Sequence, residues 1–491
     1  MGGILSPIFT ALLICAMVGT ILVIITDDRN PSVKMIWIAV VVLVPLLGLI
    51  LYFLLGLNFR RSTYTQRDHK KALAQLESQH GEALNRLQHS EGRIAELRDE
   101  YRQLAKLLRK GQGSAIVTGD DITVYDNAQQ KLEDLLEDIA KAEKYIHMEY
   151  FYFRRGEMGR RFKEALMEKA RQGVKVRFIR ENIANFDIRP RFYNEMKSAG
   201  VEVVRFSPSL SNLFSVATKL NYRDHRKIAI IDGRTAYTGG VNIADDYYNG
   251  WRDTHLRYRG EAVAALQVHF LDSFITSGGT IDESTETLFP TLGEPSAPAA
   301  ENGTLPFGGA SSLMQIAPGD PDTSWPVLSM SYDWALTHAK DYIWLQTPYL
   351  MPPEALLQSM KAAALQGTDV RIMLPRVTDI WVTTQTNRAY YGELLRAGVR
   401  LFINQRFIHS KTMVSDDYLS CVGSANLDYR SLELSYEMNS MFYGETLAQR
   451  NKAIFLQDLE NCKELTLDEW NAQPGWKKIY YDFFRLLAPV L

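Results

Sequence analysis

Cysteine is scarce in this chain. Three occur in 491 residues, Cys15, Cys421 and Cys462, with no CxxC spacing, and Cys15 lies within an apolar run. That scarcity argues against a disulfide framework and a cysteine-based metal site, and leaves three small buried hydrophobes. An excess of one charge is missing too. Lys+Arg total 55 against 57 for Asp+Glu, a net of −2, so no overall basic field invites nucleic acid. No Lys or Arg precedes the first apolar run and no clear small-residue cleavage site follows it, which weighs against a secretory signal. At this length the chain has room for two or three domains, each with its own core.

Long apolar runs are present. Ile4 to Ile25 and Met35 to Leu57 are nearly free of charge, and each matches the roughly twenty residues that cross a hydrocarbon core as a helix. Together they predict a transmembrane hairpin over residues 1–58, with Pro45 kinking the second helix while it still spans. The loop between the runs carries Arg29 and Lys34, whereas Arg60, Arg61, Arg67, Lys70 and Lys71 follow the second. The heavier cluster stays cytoplasmic, which puts both termini and the large domain inside; in a bacterium this is the inner face of the plasma membrane. The same cluster suits anionic head groups.

Residues 59–111 are charged and poor in glycine, and apolar side chains recur on a heptad. Leu73, Leu87, Ile94, Tyr101 and Leu108 hold one position and Leu76, Ala83, Leu97 and Leu104 another, with His80 and Ser90 as flaws. The spacing predicts a long helix whose seam either pairs with another copy, giving a homodimer, or packs on its own catalytic domain. Both readings stand.

Beyond it the chain repeats itself. Short β-rich runs such as KVRFI, VEVVRF and KIAIID alternate with helical patterns such as Ala128 to Ala142 and Glu157 to Arg171. YIHMEYFYF (Tyr145 to Phe153) is echoed by YIWLQTPYL (Tyr342 to Leu350), GVKVRFI by GTDVRIM, and AGVEVVRF by AGVRLFIN. A duplication accounts for these echoes. It predicts one half over 112–290, a linker over 291–311 containing EPSAPAAENG, and a second half over 312–491, facing the first across a pseudo-twofold interface.

One motif lies in each half. His225, Lys227 and Asp232 stand in HRKIAIID, and His409, Lys411 and Asp416 in HSKTMVSD. Beyond each histidine, at matching distances, come Gly239-Gly240 and Gly423-Ser424, then Asn242 and Asn426, then the acids Asp253 and Glu437. Alternate residues of a strand share a face, so each His–Lys pair points into one cleft. A phosphodiester in exchange gathers charge on its phosphoryl oxygens, which two lysines and two amides stabilise. One imidazole attacks phosphorus and forms a phosphohistidine, while the other moves the proton of the departing and the incoming alcohol. Asp253 and Glu437 each hold one ring nitrogen of a histidine, fixing its tautomer. Asp232 and Asp416, the third members of the two motifs, sit at strand ends and are expected to hold the local turn. HxK sets an ammonium where a second metal ligand would stand, so neither a metal nor a cofactor is expected.

These paired HxKxxxxD motifs, with GG or GS and Asn downstream, resemble the phospholipase D superfamily, and nearly the whole chain resembles its bacterial cardiolipin synthases with two transmembrane helices. RNPSVKMIWIAVVVLVPLLGLILYFLLG is similar to that family's membrane segment. NYRDHRKIAIIDGRTAYTGGVNIADDY, WRDTHLRYRG, TPYLMPPEAL and GSANLDYRSLELSYEMN are similar to its catalytic signatures. RENIANFDIRP departs from it, lacking an Asp-x-x-Gly-Ser type sequence. The resemblance implies an α/β fold of two tandem α/β/α domains. It also implies transfer of a phosphatidyl group from one phosphatidylglycerol to another, giving cardiolipin and glycerol, with His225 as nucleophile and His409 as acid and base. Pseudo-symmetry makes that assignment reversible.

The scissile phosphate of a lipid lies at the membrane surface. PSLSNLFSVATKL, just ahead of the first motif, reads as an interfacial loop; GWKKIYYDFFRLLAPVL mixes aromatics with Lys and Arg, and for this tail docking on the protein core is the reading taken. Rival functions are a phospholipase D or other phosphatidyltransferase using water or another alcohol, a nuclease, and a scaffold with a vestigial site. The apolar hairpin and the balanced charge argue against the nuclease, and two intact residue sets argue against the scaffold.

Overall fold

The computed structural model describes residues 2–27, 31–56, 63–88, 91–181, 183–185, 188–206, 222–292 and 310–488. The expected interfacial loop, 208–220, lies outside them. Helix α1 (Gly2–Thr26) contains Pro7–Thr26, the one helix among the described residues long and apolar enough to cross a membrane. The second apolar run is divided into α2 (Pro31–Leu43) and α3 (Pro45–Leu51). Between them Val44 leaves the helical region (φ −132°, ψ 69°), because the ring of a following proline disfavours the α conformation. The chain bends there. The bend brings Gly48 so close to α2 that a Cβ there would lie 2.5 Å from the Val40 carbonyl oxygen.

The expected long helix is also broken. It runs as α4 (Thr63–Gln88), a short turn of helix at Glu91–Ile94, and α5 (Arg102–Gln112). His80, one of the two flaws in the heptad, is where α4 kinks (φ −133°, ψ 25°). Its ring is buried, with Nδ1 2.9 Å from the Thr285 hydroxyl. Leu76, Ala83 and Leu87 are buried in one core cluster with Phe270 and Phe274, and Leu97, Tyr101, Leu104 and Leu108 in another with Leu336 and Ile343. Of the two readings of the seam, packing on the chain's own domain is the one the structure adopts.

The two halves share one sheet. The first contributes β1 (Ile116–Tyr125), β2 (Tyr145–Tyr150), β3 (Lys175–Arg180), β4 (Glu202–Arg205), β5 (Lys227–Ile231), β6 (Thr235–Gly239) and β7 (His255–Arg259). The second contributes β8 (Ala310–Gly319), β9 (Tyr342–Gln346), β10 (Asp369–Pro375), β11 (Arg400–Asn404), β12 (Thr412–Ser415), β13 (Leu419–Gly423), β14 (Glu437–Tyr443) and β15 (Cys462–Leu465). Their order is β15-β11-β10-β9-β12-β13-β14-β8-β1-β7-β6-β5-β2-β3-β4. Outward from the antiparallel β1–β8 pair each half repeats the same succession of strands, and β15 is added at one edge. The duplication is therefore a pseudo-twofold about that pair.

Burial explains the strand sequences. In β5, Ile228 and Ile230 face one core cluster while Ala229 and Ile231 face the other, so a run covered by helices on both sides is apolar throughout. In the first half α6 (Ala128–Lys141), capped by the Asn127 side chain, and α7 (Glu157–Arg171) cover one face, and α8 (Glu261–Thr276) covers the other. In the second half α9 (Val327–His338), α10 (Glu354–Leu365) and α11 (Trp381–Arg396) lie opposite α12 (Glu445–Leu459), and α13 (Gly475–Arg485) packs on α11.

Candidate active site

His225 stands just ahead of β5 and His409 just ahead of β12, and each is anchored by the other half of the molecule. The His225 amide donates to the Tyr436 carbonyl at 2.8 Å, and the His409 amide to the Arg252 carbonyl at 2.7 Å. The ring contacts cross over in the same way. His225 Nδ1 lies 2.9 and 3.0 Å from the two Glu437 oxygens, and His409 Nδ1 lies 2.7 Å from Asp253 Oδ2. Each acid therefore serves the histidine of the opposite half. Sequence spacing leaves that partnership open, because it matches positions within each half and not across the interface.

Lys227 and Lys411 return to their own motifs, each ammonium donating to the carbonyl of the histidine two residues earlier. Lys411 Nζ also lies 2.7 Å from His409 Nδ1. The surroundings of the two histidines differ. Phe151 meets His225 edge-on with ring centres 4.7 Å apart, whereas Tyr247, Trp251, Phe407 and Tyr349 surround His409 at 5.7–6.4 Å.

The paired glycine positions match the length of each acid. At Gly240 a Cβ would lie 2.0 Å from Asp253 Oδ1, so only glycine fits beside the short acid. At the equivalent position Ser424 donates its hydroxyl to the longer Glu437. One residue earlier, a Cβ on Gly239 would lie 2.7 Å from the His255 Cα, and one on Gly423 1.9 Å from the Asn439 amide oxygen. The close strand packing expected of these glycines is what they provide.

The expectation for the two asparagines needs correction. Asn242 and Asn426 do not aim both ends of their amides at the cleft. Asn242 Oδ1 accepts from the Tyr152 amide at 3.1 Å, and its Nδ2 donates to the Tyr247 hydroxyl at 2.7 Å. Asn426 Nδ2 donates to Ser431 Oγ at 3.2 Å. These amides hold neighbouring hydroxyls, and the Tyr247 hydroxyl lies 3.3 Å from His409 Nδ1. Asp232 and Asp416, grouped with the catalytic residues by motif, stand at the far ends of their strands, about 20 Å from the histidines at strand rise. Asp232 accepts from the amides of Glu143, Lys144 and Tyr145, each at 2.8 Å, and Asp416 from those of Lys340, Asp341 and Tyr342 at 2.9–3.0 Å. Both adopt positive φ, 52° and 49°. They tie the turn to the start of β2 and β9 and take no part in the cleft.

Burial dominates the electrostatics. It pushes His225 well below the ordinary histidine value, with Lys227, Lys411 and His409 acting in the same direction. The crossed carboxylate contacts join both motifs in one site. His409 is lowered too, by burial and Lys411, but Asp253 opposes the shift. Burial brings Lys227 to about 7 against the pull of Glu437, and Lys411 to about 8 against that of Asp253. The acids part company. Burial raises Glu437 to about 8, while burial of Asp253 is outweighed by Lys411 and His409, which hold it below the usual carboxylate range.

Other residues of the site carried no signal in the repeat. Arg226 lies 2.7 Å from Glu149 and 3.0 Å from Asp224, all three buried beside His225. Arg252 reaches Asp458 at 2.6 Å and Ser410 at 3.0 Å, joining the halves beside His409. Tyr247 and Ser431 sit equally far beyond the two asparagines but differ in type, so matching one copy against the other passes over them.

Three comparisons bear on this site. A family model described as cardiolipin synthase, PLD-like domain, matches residues 135–272 and again 333–459, and one described as phospholipase D-nuclease N-terminal matches 15–56. The chain is 33% identical over 480 residues to the major cardiolipin synthase ClsA of Bacillus subtilis, covering 96% of both chains. It is 32% identical over 503 residues to a cardiolipin synthase of Staphylococcus aureus strain Mu50, covering 99% of this chain and 97% of that one. Among solved structures it shares a fold with phosphatidylserine synthase of Haemophilus influenzae, with TM-score 0.59 and 13% identity over 79% of this chain and all of that one.

Proposed function

From the premise that this chain belongs to the cardiolipin synthases of the phospholipase D-like superfamily, and is a phosphatidyltransferase, we propose how its two halves divide the reaction. The substrate is phosphatidylglycerol, and the observation that carries the assignment is the crossed pair of histidine–carboxylate contacts in one buried site.

With Nδ1 occupied by Glu437, His225 attacks phosphorus through Nε2. An N–P bond forms and the bond from phosphorus to the glycerol oxygen breaks. His409 gives the departing glycerol the proton on its Nε2. The hydroxyl of a second phosphatidylglycerol then enters, His409 takes its proton back, and the new oxygen displaces His225 from phosphorus. Cardiolipin and glycerol are the products. Lys227 and Lys411 supply the positive charge that faces the phosphoryl oxygens. The unequal acids support this division: an ionised Asp253 stabilises imidazolium on His409, and a largely neutral Glu437 leaves His225 an uncharged nucleophile.

The membrane association implied by the family extends, in this reading, to a hairpin with both apolar runs in the bilayer. The catalytic halves lie on the cytoplasmic side of a bacterial plasma membrane, supported by the charge of Arg60, Arg61, Arg67, Lys70 and Lys71. Purified chain given phosphatidylglycerol as sole lipid is expected to release glycerol and form cardiolipin, and His225→Ala or His409→Ala to stop both. Phosphatidic acid as the main product would point to hydrolysis, and radiolabel trapped on His409 would reverse the nucleophile.

A further inference from the structure

Helix α13 divides its aromatic side chains between two faces. Tyr481 and Phe484 are buried towards the protein, whereas Trp476, Ile479, Phe483 and Leu486 are 64, 72, 62 and 75% exposed. The start of α11 adds Ile380, its N-cap, and Trp381, its first residue, both at least half exposed. Trp381 meets Phe484 edge-on at 5.3 Å, and Phe483 and Tyr480 pack on the same ring at 5.6 and 5.0 Å, so α13 and the start of α11 form one continuous apolar surface. A contiguous patch of this kind marks an interaction site.

Its position limits what the partner is. Asp379, one residue before Ile380, accepts a hydrogen bond from Tyr349, whose ring stands edge-on to His409 at 6.4 Å. The Asp379 charge is felt at both His409 and Lys411. Through Asp379 and Tyr349 the patch therefore adjoins the catalytic site. Lys477, Lys478 and Arg376 accompany it, against Asp482 and Asp379; Arg485 is taken up by Glu393 at 2.7 Å. Trp and Tyr beside Lys on an amphipathic helix is the composition of the bilayer interface.

Resting on the reading of the chain as a cardiolipin synthase, we propose that α13 and residues 380–381 form a second membrane contact, which lies in the head-group boundary of an anionic bilayer and turns the catalytic cleft towards its lipid. A membrane hairpin at one end tethers the domain but leaves its orientation free. A second contact beside the cleft fixes it.

The test uses the full chain in phosphatidylglycerol vesicles. A fluorophore on Ile479→Cys, measured against the unsubstituted chain carrying the same dye, is expected to be quenched by nitroxide-bearing lipid and shielded from aqueous iodide. Quenching by iodide alone overturns the proposal. So does self-quenching that grows with protein concentration in the absence of vesicles, which would assign the patch to a second copy. In parallel, Ile479→Asp with Phe483→Asp is expected to lower turnover on vesicles about tenfold or more, while turnover on monomeric short-chain phosphatidylglycerol stays within about twofold. Equal loss on both substrates overturns it, and the unfolding midpoint shows whether the variant is folded. If the unsubstituted chain makes no cardiolipin, the functional reading fails, and the fluorophore still decides the contact.

Discussion

His409 and His225 carry the same motif in unequal surroundings, and the inequality has kinetic consequences. Asp253 faces His409 as an anion, so its loss removes the partner of an imidazolium. Glu437 is pushed up to about 8 and faces His225 close to neutrality, with Ser424 donating to its second oxygen. A glutamine there keeps a carbonyl for Nδ1–H, and its NH2 donates to the serine oxygen, reversing that hydrogen bond. Asp253→Asn is therefore expected to lower kcat by about 10²–10⁴-fold, and Glu437→Gln by only about tenfold. Equal losses in a glycerol-release assay would contradict the asymmetry. The lysines add a pH dependence. Each grips phosphate only as an ammonium, and burial brings Lys227 to about 7 and Lys411 to about 8 in the free protein. Below that range both are charged, and as pH rises through it both lose their protons. kcat/KM, which reports the free enzyme, is expected to fall as pH rises through about 7 to 8. Bound phosphate raises both lysines, so the fall in kcat belongs at higher pH; coincident limbs would contradict this.

At the scale of the element, the third residue of each motif serves folding. Asp232 gathers three amides at the start of β2 from a positive-φ position. Asp232→Ala frees those amides and removes the carboxylate whose local bonds hold this residue in the left-handed region, a cost of about 2–3 kcal/mol at partial exposure. A lowered unfolding midpoint is expected, with turnover per folded molecule nearly unchanged; loss of turnover at an unchanged midpoint would return the residue to the cleft. That aspartate was legible in the sequence as a turn residue because it closes a run that alternates between two cores. The breaks at Val44 and His80 were less so. Hydropathy and heptad patterns count residues without recording direction, and both continue across a point where the chain turns. Leu76 and Leu104 are apolar whether their seam meets another copy or the chain's own sheet, and only the fold distinguishes the two.

For the whole molecule, the repeat gave the two halves and their facing arrangement, since equal offsets require equal folds. It could not give the exchange of acids, because Asp253 and Glu437 lie equally far from either histidine in the logic of a duplication. That exchange makes the halves interdependent. Neither histidine has its carboxylate within its own half, and the bridges Asp224–Tyr436 and Arg252–Ile408 thread each motif through the other. The central β1–β8 pair, Ile116–Ile122 against Ala310–Gln315 with an irregularity after Gly119, adds an antiparallel ladder. The covalent link between the halves should then matter far less than these contacts. Cleavage at a protease site placed within EPSAPAAENG is expected to leave one species by size, active to within about twofold, because the crossed contacts and the shared sheet hold the halves together. Each half prepared alone is expected to be inactive, with its histidine lacking both its carboxylate and the backbone carbonyl that fixes it. Activity from either half alone would mean that the crossed contacts are incidental to catalysis.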